Sequence, residues 1–255
     1  MITLLNGEIW KESDLLEKME DDSFYYGHLG KYALSSSACK QLLDSPKQYH
    51  YITKYGQDDS QSFNIGRLVH LMVLEPGKME GINIVDVQSR ATKAFKESPE
   101  GSITRRDYNE AQRIADAFLR NDKAMSLLQG CEFEVPKIGM LGDIPFRAKA
   151  DMYDASQGFI VDLKTTSDLK AFPYSAKKYS YDLQCAIYCE LFGVSWEKFV
   201  FISIDKASLD VGIYMVKESF IQRGREKLKE AISTYKRYFI EGEDLDSYTI
   251  IGELE

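Results

Sequence analysis

The chain has 255 residues, 44% hydrophobic and 28% charged, which suits a globular protein with a full core and excludes a disordered or fibrous one. No apolar run is long enough to span a bilayer, and the opening Met1-Ile2-Thr3-Leu4 lacks the basic start of a secretory signal; a cytoplasmic protein without membrane contact is expected. The net charge of −8 argues against a uniformly basic nucleic-acid binder, yet six of the negative charges sit in the last fifteen residues, Glu241 to Glu255.

In chain order, residues 13–20 read as a helix. Leu34 to Leu43 follows as another, with a serine cap ahead of its apolar face. Pro46 suits the first turn of a helix over Lys47 to Lys54. Asn64 to Leu74 is apolar almost all round and should be a buried helix. Thr104 caps a long amphipathic helix that ends near Gly130. The pattern then changes to three strands joined by tight turns, at Cys131 to Ile138, Ile144 to Tyr153 and Gly158 to Lys164. A helix over Ser175 to Phe192, strands at Lys198 to Asp205 and Asp210 to Val216, and a closing helix over Ser219 to Ile240 complete the chain. This order predicts an α/β fold with a mixed central sheet flanked by helices. No repeat or linker divides it. The expected organisation is one domain over 1–255: a mainly helical part to 130, a catalytic sheet core over 131–240 and an acidic tail over 241–255.

The most informative stretch is Asp151 together with Asp162-Leu163-Lys164, which ends the apolar run Phe159-Ile160-Val161. Positions two apart on a strand share a face, so Asp162 and Lys164 point the same way, and a hairpin brings Asp151 beside them. Two carboxylates and an ammonium at a strand end suit a hard divalent cation, an attacking water and the cutting of phosphodiesters. A bare Asp-x-Lys carries little weight alone. Asp168-Leu169-Lys170 is a second copy, follows no apolar run, and is read as solvated.

Other residues join this hairpin. His70 lies on the apolar helix one turn after Gly66, and a neutral imidazole is a ready metal ligand. Glu132 opens the strand expected to pair with the Asp151 strand; Glu134, on the same face, is its rival. Gln184 and Tyr188 share one helix face at i and i+4. Basic groups at Arg147, Lys149, Lys164, Lys170, Lys177 and Lys178, and from Arg223 to Arg237, supply phosphate contacts. The four cysteines form no Cys-x-x-Cys pair, so neither a disulfide framework nor an iron–sulfur cluster is expected.

Taken in order, Gly66-x-x-x-His70, a carboxylate, Phe146-Arg147-Ala148-Lys149-Ala150-Asp151, Asp162-Leu163-Lys164-Thr165-Thr166 and Gln184-x-x-x-Tyr188 resemble the PD-(D/E)xK nuclease superfamily. Within it the RecE-type (exonuclease VIII) branch, related to the lambda-exonuclease-like enzymes, is the most similar. The resemblance covers Leu34 to the final helix, including Leu74-Glu75-Pro76. Ala150 departs from it, standing where the family usually has proline, which relaxes the turn and removes no ligand.

The resemblance implies that His70, Asp151, Asp162 and the main-chain carbonyl of Leu163 hold Mg²⁺, with Mn²⁺ as a substitute. It implies that Lys164 acts at the water or phosphate, that Glu132 orients water, and that Gln184 and Tyr188 support the site. Ser35 and Ser37, at a helix start, would grip a 5′-phosphate, with Arg147 as a further substrate contact. The activity so implied is degradation of linear double-stranded DNA from its ends, 5′ to 3′, leaving a 3′ single strand for recombination. The implied assembly is a ring-shaped homo-oligomer, a tetramer, with a single-strand annealing recombinase as partner. A structure- or site-specific endonuclease, or a catalytically idle DNA-binding module, are the alternatives.

Overall fold

The computed structural model describes residues 1–56 and 65–250. Five strands form one mixed sheet: β1 (Glu132–Leu141), β2 (Ile144–Asp154), β3 (Phe159–Thr166), β4 (Phe199–Asp205) and β5 (Val211–Met215). They lie in sequence order, antiparallel except for the parallel pair β3–β4. A parallel neighbour demands a crossover, which two helices, Phe172–Lys178 and Tyr181–Phe192, supply.

Helices cover both faces. The labelled ones are α1 (Glu12–Lys18), α2 (Ser36–Asp44), α3 (Pro46–Tyr55), α4 (Ile65–Leu74), α5 (Arg105–Leu119), α6 and α7 (the crossover helices), and α8 (Glu218–Tyr235). One core joins α2, α7 and α8 to sheet residues Ile144, Phe146, Ala148, Ala150, Ile160, Phe199 and Phe201. The other joins α4 and α5 to Met152, Val161, Leu163, Val200, Ile202 and Ile204. Phe118, Phe146 and Phe199 are fully buried; each such side chain contributes about 1.5–3 kcal/mol. A third, smaller core is built by Leu4, Leu15, Met19, Tyr25 and Leu29 against Ile138 of β1.

Each expected strand is present, and the helix over Pro46–Tyr55 begins with the proline, capped by Ser45. Three expected helices are divided. The crossover helix breaks at Tyr179 and Ser180, where Ser180 takes a left-handed φ of 56°. The helix from Thr104 stops at Leu119, and Asn121 caps a separate turn, Asp122–Ser126. The closing helix becomes a π-helical turn at Lys236–Ile240. The expected helix over Asn64 to Leu74 is present from Ile65 and leaves Arg67 exposed; Asn64 lies outside the described residues.

The packing of α7 on α8 depends on Gly224, because a methyl group there would run into the Asp182 main-chain carbonyl. Beside it Asp182 is fully buried and ionically paired, accepting from Arg223 Nε at 2.5 Å and Lys227 Nζ at 2.8 Å. The acidic C-terminal stretch folds back on the body: Asp246 pairs with Lys47 at 2.9 Å, and Glu243 with Arg237. Residues 251–255 of that stretch lie outside the described residues. Among the described residues no helix is long and apolar enough to cross a membrane.

Candidate active site

β2 and β3 pair over only three positions, Met152 with Val161, Tyr153 with Ile160 and Asp154 with Phe159, and then diverge. In the gap the Leu163 N–H finds no main-chain partner on β2 and donates to Asp151 Oδ2 at 2.7 Å. The side-chain alternation of β2 also slips here, since Ala150 and Tyr153 both face the α7 side while Met152 faces α4 and α5. A one-residue slip re-aims side chains, a device common beside active sites. Across the ladder, Glu134 falls opposite Asp151, between the pairs Phe133–Met152 and Val135–Ala150. Its φ of 51° is left-handed, a conformation rare for a residue with a side chain and often found at functional sites.

Helix α4 brings His70 to this gap. Its Nδ1 lies 3.6 Å from Asp151 Oδ2. His70, Glu134 and Asp151 each offer one ligand atom, all within 4.8 Å of one another. On β3, Asp162 is fully buried: Oδ1 accepts from Gln184 Nε2 at 2.6 Å, and Oδ2 faces the Lys164 ammonium in an ion pair without a hydrogen bond of ordinary geometry. The Lys164 ammonium lies 5.0 Å from the Tyr181 ring centre. The Tyr188 hydroxyl donates to the Lys149 carbonyl at 2.9 Å, bracing β2 two residues before Asp151.

Electrostatics follow from burial of like charges. Burial, with Asp151 and Glu75 nearby, pushes the Glu134 carboxyl up to about 8. Burial raises Asp151 as well, and raises Asp162 to about 6 despite the opposing pull of Lys164. Burial and the Lys164 charge lower His70 to about 4, so its ring is neutral at neutral pH. Lys164 is also penalised by burial, but Asp162 and Asp151 outweigh that and hold its ammonium above the ordinary lysine value. Such a set could hold a cation by its chemistry: two destabilised carboxylates and a neutral imidazole, with Asp162 Oδ2 engaged only by the Lys164 ion pair. The oxygen-rich donors fit Mg²⁺ or Mn²⁺.

The expected residues divide between those brought together and those left apart. His70, Asp151, Asp162, Leu163, Lys164 and Gln184 converge, although Asp162 is engaged by Lys164 and lies outside the three-ligand group. Tyr188 reaches the site only indirectly, through the main chain of β2. Glu132 pairs with Tyr153 and is exposed, and Glu134 takes the place expected for it. The register decides this, because only position 134 stands opposite Asp151. Ser35 is spent as the α2 cap, accepting from Ala38 N at 3.3 Å, and Ser37 is exposed. Leu34, beside them, bridges to Phe146; Asp151 lies five positions further along the strand, about 17 Å at the strand rise. Arg147 is buried, with its Nε donating to the Leu29 carbonyl at 3.2 Å and its guanidinium 4.4 Å from the Tyr25 ring centre. It braces the N-terminal segment.

Sequence reasoning read Lys149 only as a phosphate contact and did not find Tyr181 as a neighbour of Lys164. Lys149 is buried, pairs with Asp22 at 3.0 Å, and lies 4.7 Å from the Tyr25 ring centre. Its position two residues before Asp151 was the available signal.

Residues 35–244 match the model of a PDDEXK-like domain of unknown function (DUF3799). The chain belongs to the PDDEXK-like family. No protein of curated function matches it. Its fold is similar to the crystal structure of an inferred exonuclease from Eubacterium rectale, 18% identical, with a TM-score of 0.65 over 92% of this chain and 95% of that one. A phage-related exonuclease from Haemophilus somnus 129PT, 14% identical, aligns over 84% of this chain and 99% of that one at a TM-score of 0.35. The PDDEXK-like assignment agrees with the superfamily resemblance read from the motifs. It also places residues 1–34, with their own small core, ahead of the matched domain.

Proposed function

We propose that this PDDEXK-like chain is a divalent-metal-dependent DNA nuclease that digests linear duplex from its ends. The observation that carries this reading is the convergence of His70, Glu134 and Asp151 beside the Asp162–Lys164 pair at the point where β2 and β3 part. His70, Glu134 and Asp151 are the proposed holders of the cation, with Asp162 Oδ2 and the Leu163 carbonyl adjoining. A Mg²⁺ bound there would acidify a water and offset charge on the scissile phosphate.

The remaining roles belong to the chain. Lys164, held charged by two carboxylates, steadies the negative charge that grows on the phosphate and does not act as a base. Gln184 fixes Asp162 in one rotamer, and the Leu163 N–H does the same for Asp151. Tyr188 holds the β2 main chain that carries Asp151. The 5′ to 3′ direction, the 3′ single-stranded product, a ring-shaped tetramer and an annealing partner are proposed from the family resemblance.

The test is digestion of 5′- and 3′-end-labelled linear duplex with Mg²⁺, alongside closed circular plasmid, by wild type and Lys164→Ala. Loss of the 5′ label first, intact circles and a drop of at least about 100-fold in Lys164→Ala are expected. Rapid cutting of closed circles would replace the exonuclease with an endonuclease. Equal rates for the two proteins would remove Lys164 from the chemistry.

A further inference from the structure

The break between α6 and α7 lies beside the proposed catalytic lysine. Ser180 takes its left-handed φ of 56° there, which is unfavourable for a residue with a β-carbon. Lys227 holds this turn from α8, donating to Ser180 Oγ at 3.1 Å and to Asp182 Oδ1 at 2.8 Å. The turn sets two rings side by side, Tyr179 and Tyr181, with centres 6.1 Å apart and planes 35° apart.

The two rings differ in their surroundings. Tyr181 is anchored inward: it stacks on Phe201 at 5.8 Å and 22°, and the Lys164 ammonium lies 5.0 Å from its centre. Tyr179 faces outward and is 47% exposed. Its ring centre is 5.4 Å from the Lys40 ammonium of α2 and 5.7 Å from that of Lys178. Successive contacts therefore run from the Lys40 ammonium through the paired rings of Tyr179 and Tyr181 to the Lys164 ammonium. An exposed ring between cations, leading to a phosphodiester site, is the equipment with which proteins hold single-stranded nucleic acid: bases stack on the ring while phosphates meet the ammonium groups.

We propose that Tyr179, Lys40 and Lys178 form a landing platform for an unpaired DNA strand, stacking one base on Tyr179 and passing the strand along Tyr181 to Lys164. Bases inside a duplex offer no free face to Tyr179, so the platform selects frayed ends and overhangs over uninterrupted duplex. The strand's destination rests on the nuclease reading; the platform itself is tested by binding.

The experiment measures anisotropy of a fluorescein-labelled deoxythymidine oligonucleotide with the full chain in EDTA, where cutting does not interfere. It compares wild type, Tyr179→Ala, Tyr179→Phe and Lys40→Ala, with Mg²⁺-dependent digestion of wild type run in parallel. Tyr179→Ala should weaken binding by about 5- to 100-fold, Tyr179→Phe should bind within about twofold of wild type, and Lys40→Ala should flatten the dependence of log Kd on log salt by about 0.7. An unchanged thermal midpoint for the exposed Tyr179→Ala variant excludes misfolding. Wild-type affinity in Tyr179→Ala, equal losses in the Ala and Phe variants, or no oligonucleotide binding by wild type would each overturn the platform. Digestion by wild type alongside any of these leaves the nuclease reading standing, whereas tight, Tyr179-dependent binding without digestion overturns that reading and keeps the platform.

Discussion

At the scale of single residues, the decisive contrast is between Glu132 and Glu134. They are two apart on one strand, and pattern alone could not rank them. The choice is made by register, which sets Glu134 opposite Asp151, and by a left-handed main chain at Glu134 that no sequence pattern marks. Glu134→Gln should therefore abolish measurable Mg²⁺ binding in calorimetry, while Glu132→Gln binds as wild type. Asp151, Asp162 and Lys164 were legible because an apolar strand ending in acid-x-Lys is a local signal. His70 needed its long-range partner, 81 residues away in the chain, to distinguish it from a core histidine.

The same carboxylates set a pH dependence. Glu134, at about 8, and Asp162, at about 6, hold their protons more tightly in the folded protein than at their ordinary values of 4.5 and 3.8. A raised carboxyl contributes stability at low pH and loses it as pH climbs toward the folded value. The metal-free protein should lose thermal stability between about pH 4 and pH 8 from these two groups. Mg²⁺ binds the ionised forms, so the rise in melting temperature that it produces should be larger at pH 8.5 than at pH 6. An equal rise at both values would show that Glu134 does not hold the ion.

At the scale of elements, the strands were readable because short apolar runs, buried on both faces of the sheet, are separated by tight turns. The helices were readable as apolar faces but not in their breaks. Nothing in Tyr179-Ser180 forbids a helix. The interruption is imposed by tertiary contacts, with Lys227 holding Ser180 and Asp182 buried under α8. The α7–α8 contact gives a clean test of that packing. Gly224→Ala places a methyl group against the rigid Asp182 carbonyl, and overpacking of this kind costs about 1–3 kcal/mol or more. Urea denaturation should show the loss, with an unchanged m-value if the fold itself is retained. No loss would mean that the two helices can separate freely.

At the scale of the molecule, an acidic protein is proposed to act on DNA, and the distribution of charge reconciles the two. Asp246 and Glu243 of the acidic stretch are tied to Lys47 and Arg237, while the Lys40–Lys178 edge leads to Lys164. The mixed sheet and its helical cover were expected from element order, but the small core of residues 1–34, planting Asp22 on Lys149, was not. Its helices are short, and their partner strand lies more than a hundred residues away. The central claim is that His70, Glu134 and Asp151 close around one divalent cation beside Lys164. Anomalous diffraction from crystals soaked in Mn²⁺ tests it most directly. A single strong peak within coordination distance of those three side chains is predicted; a well-ordered site with no peak there, or one bound elsewhere on the surface, would contradict the account.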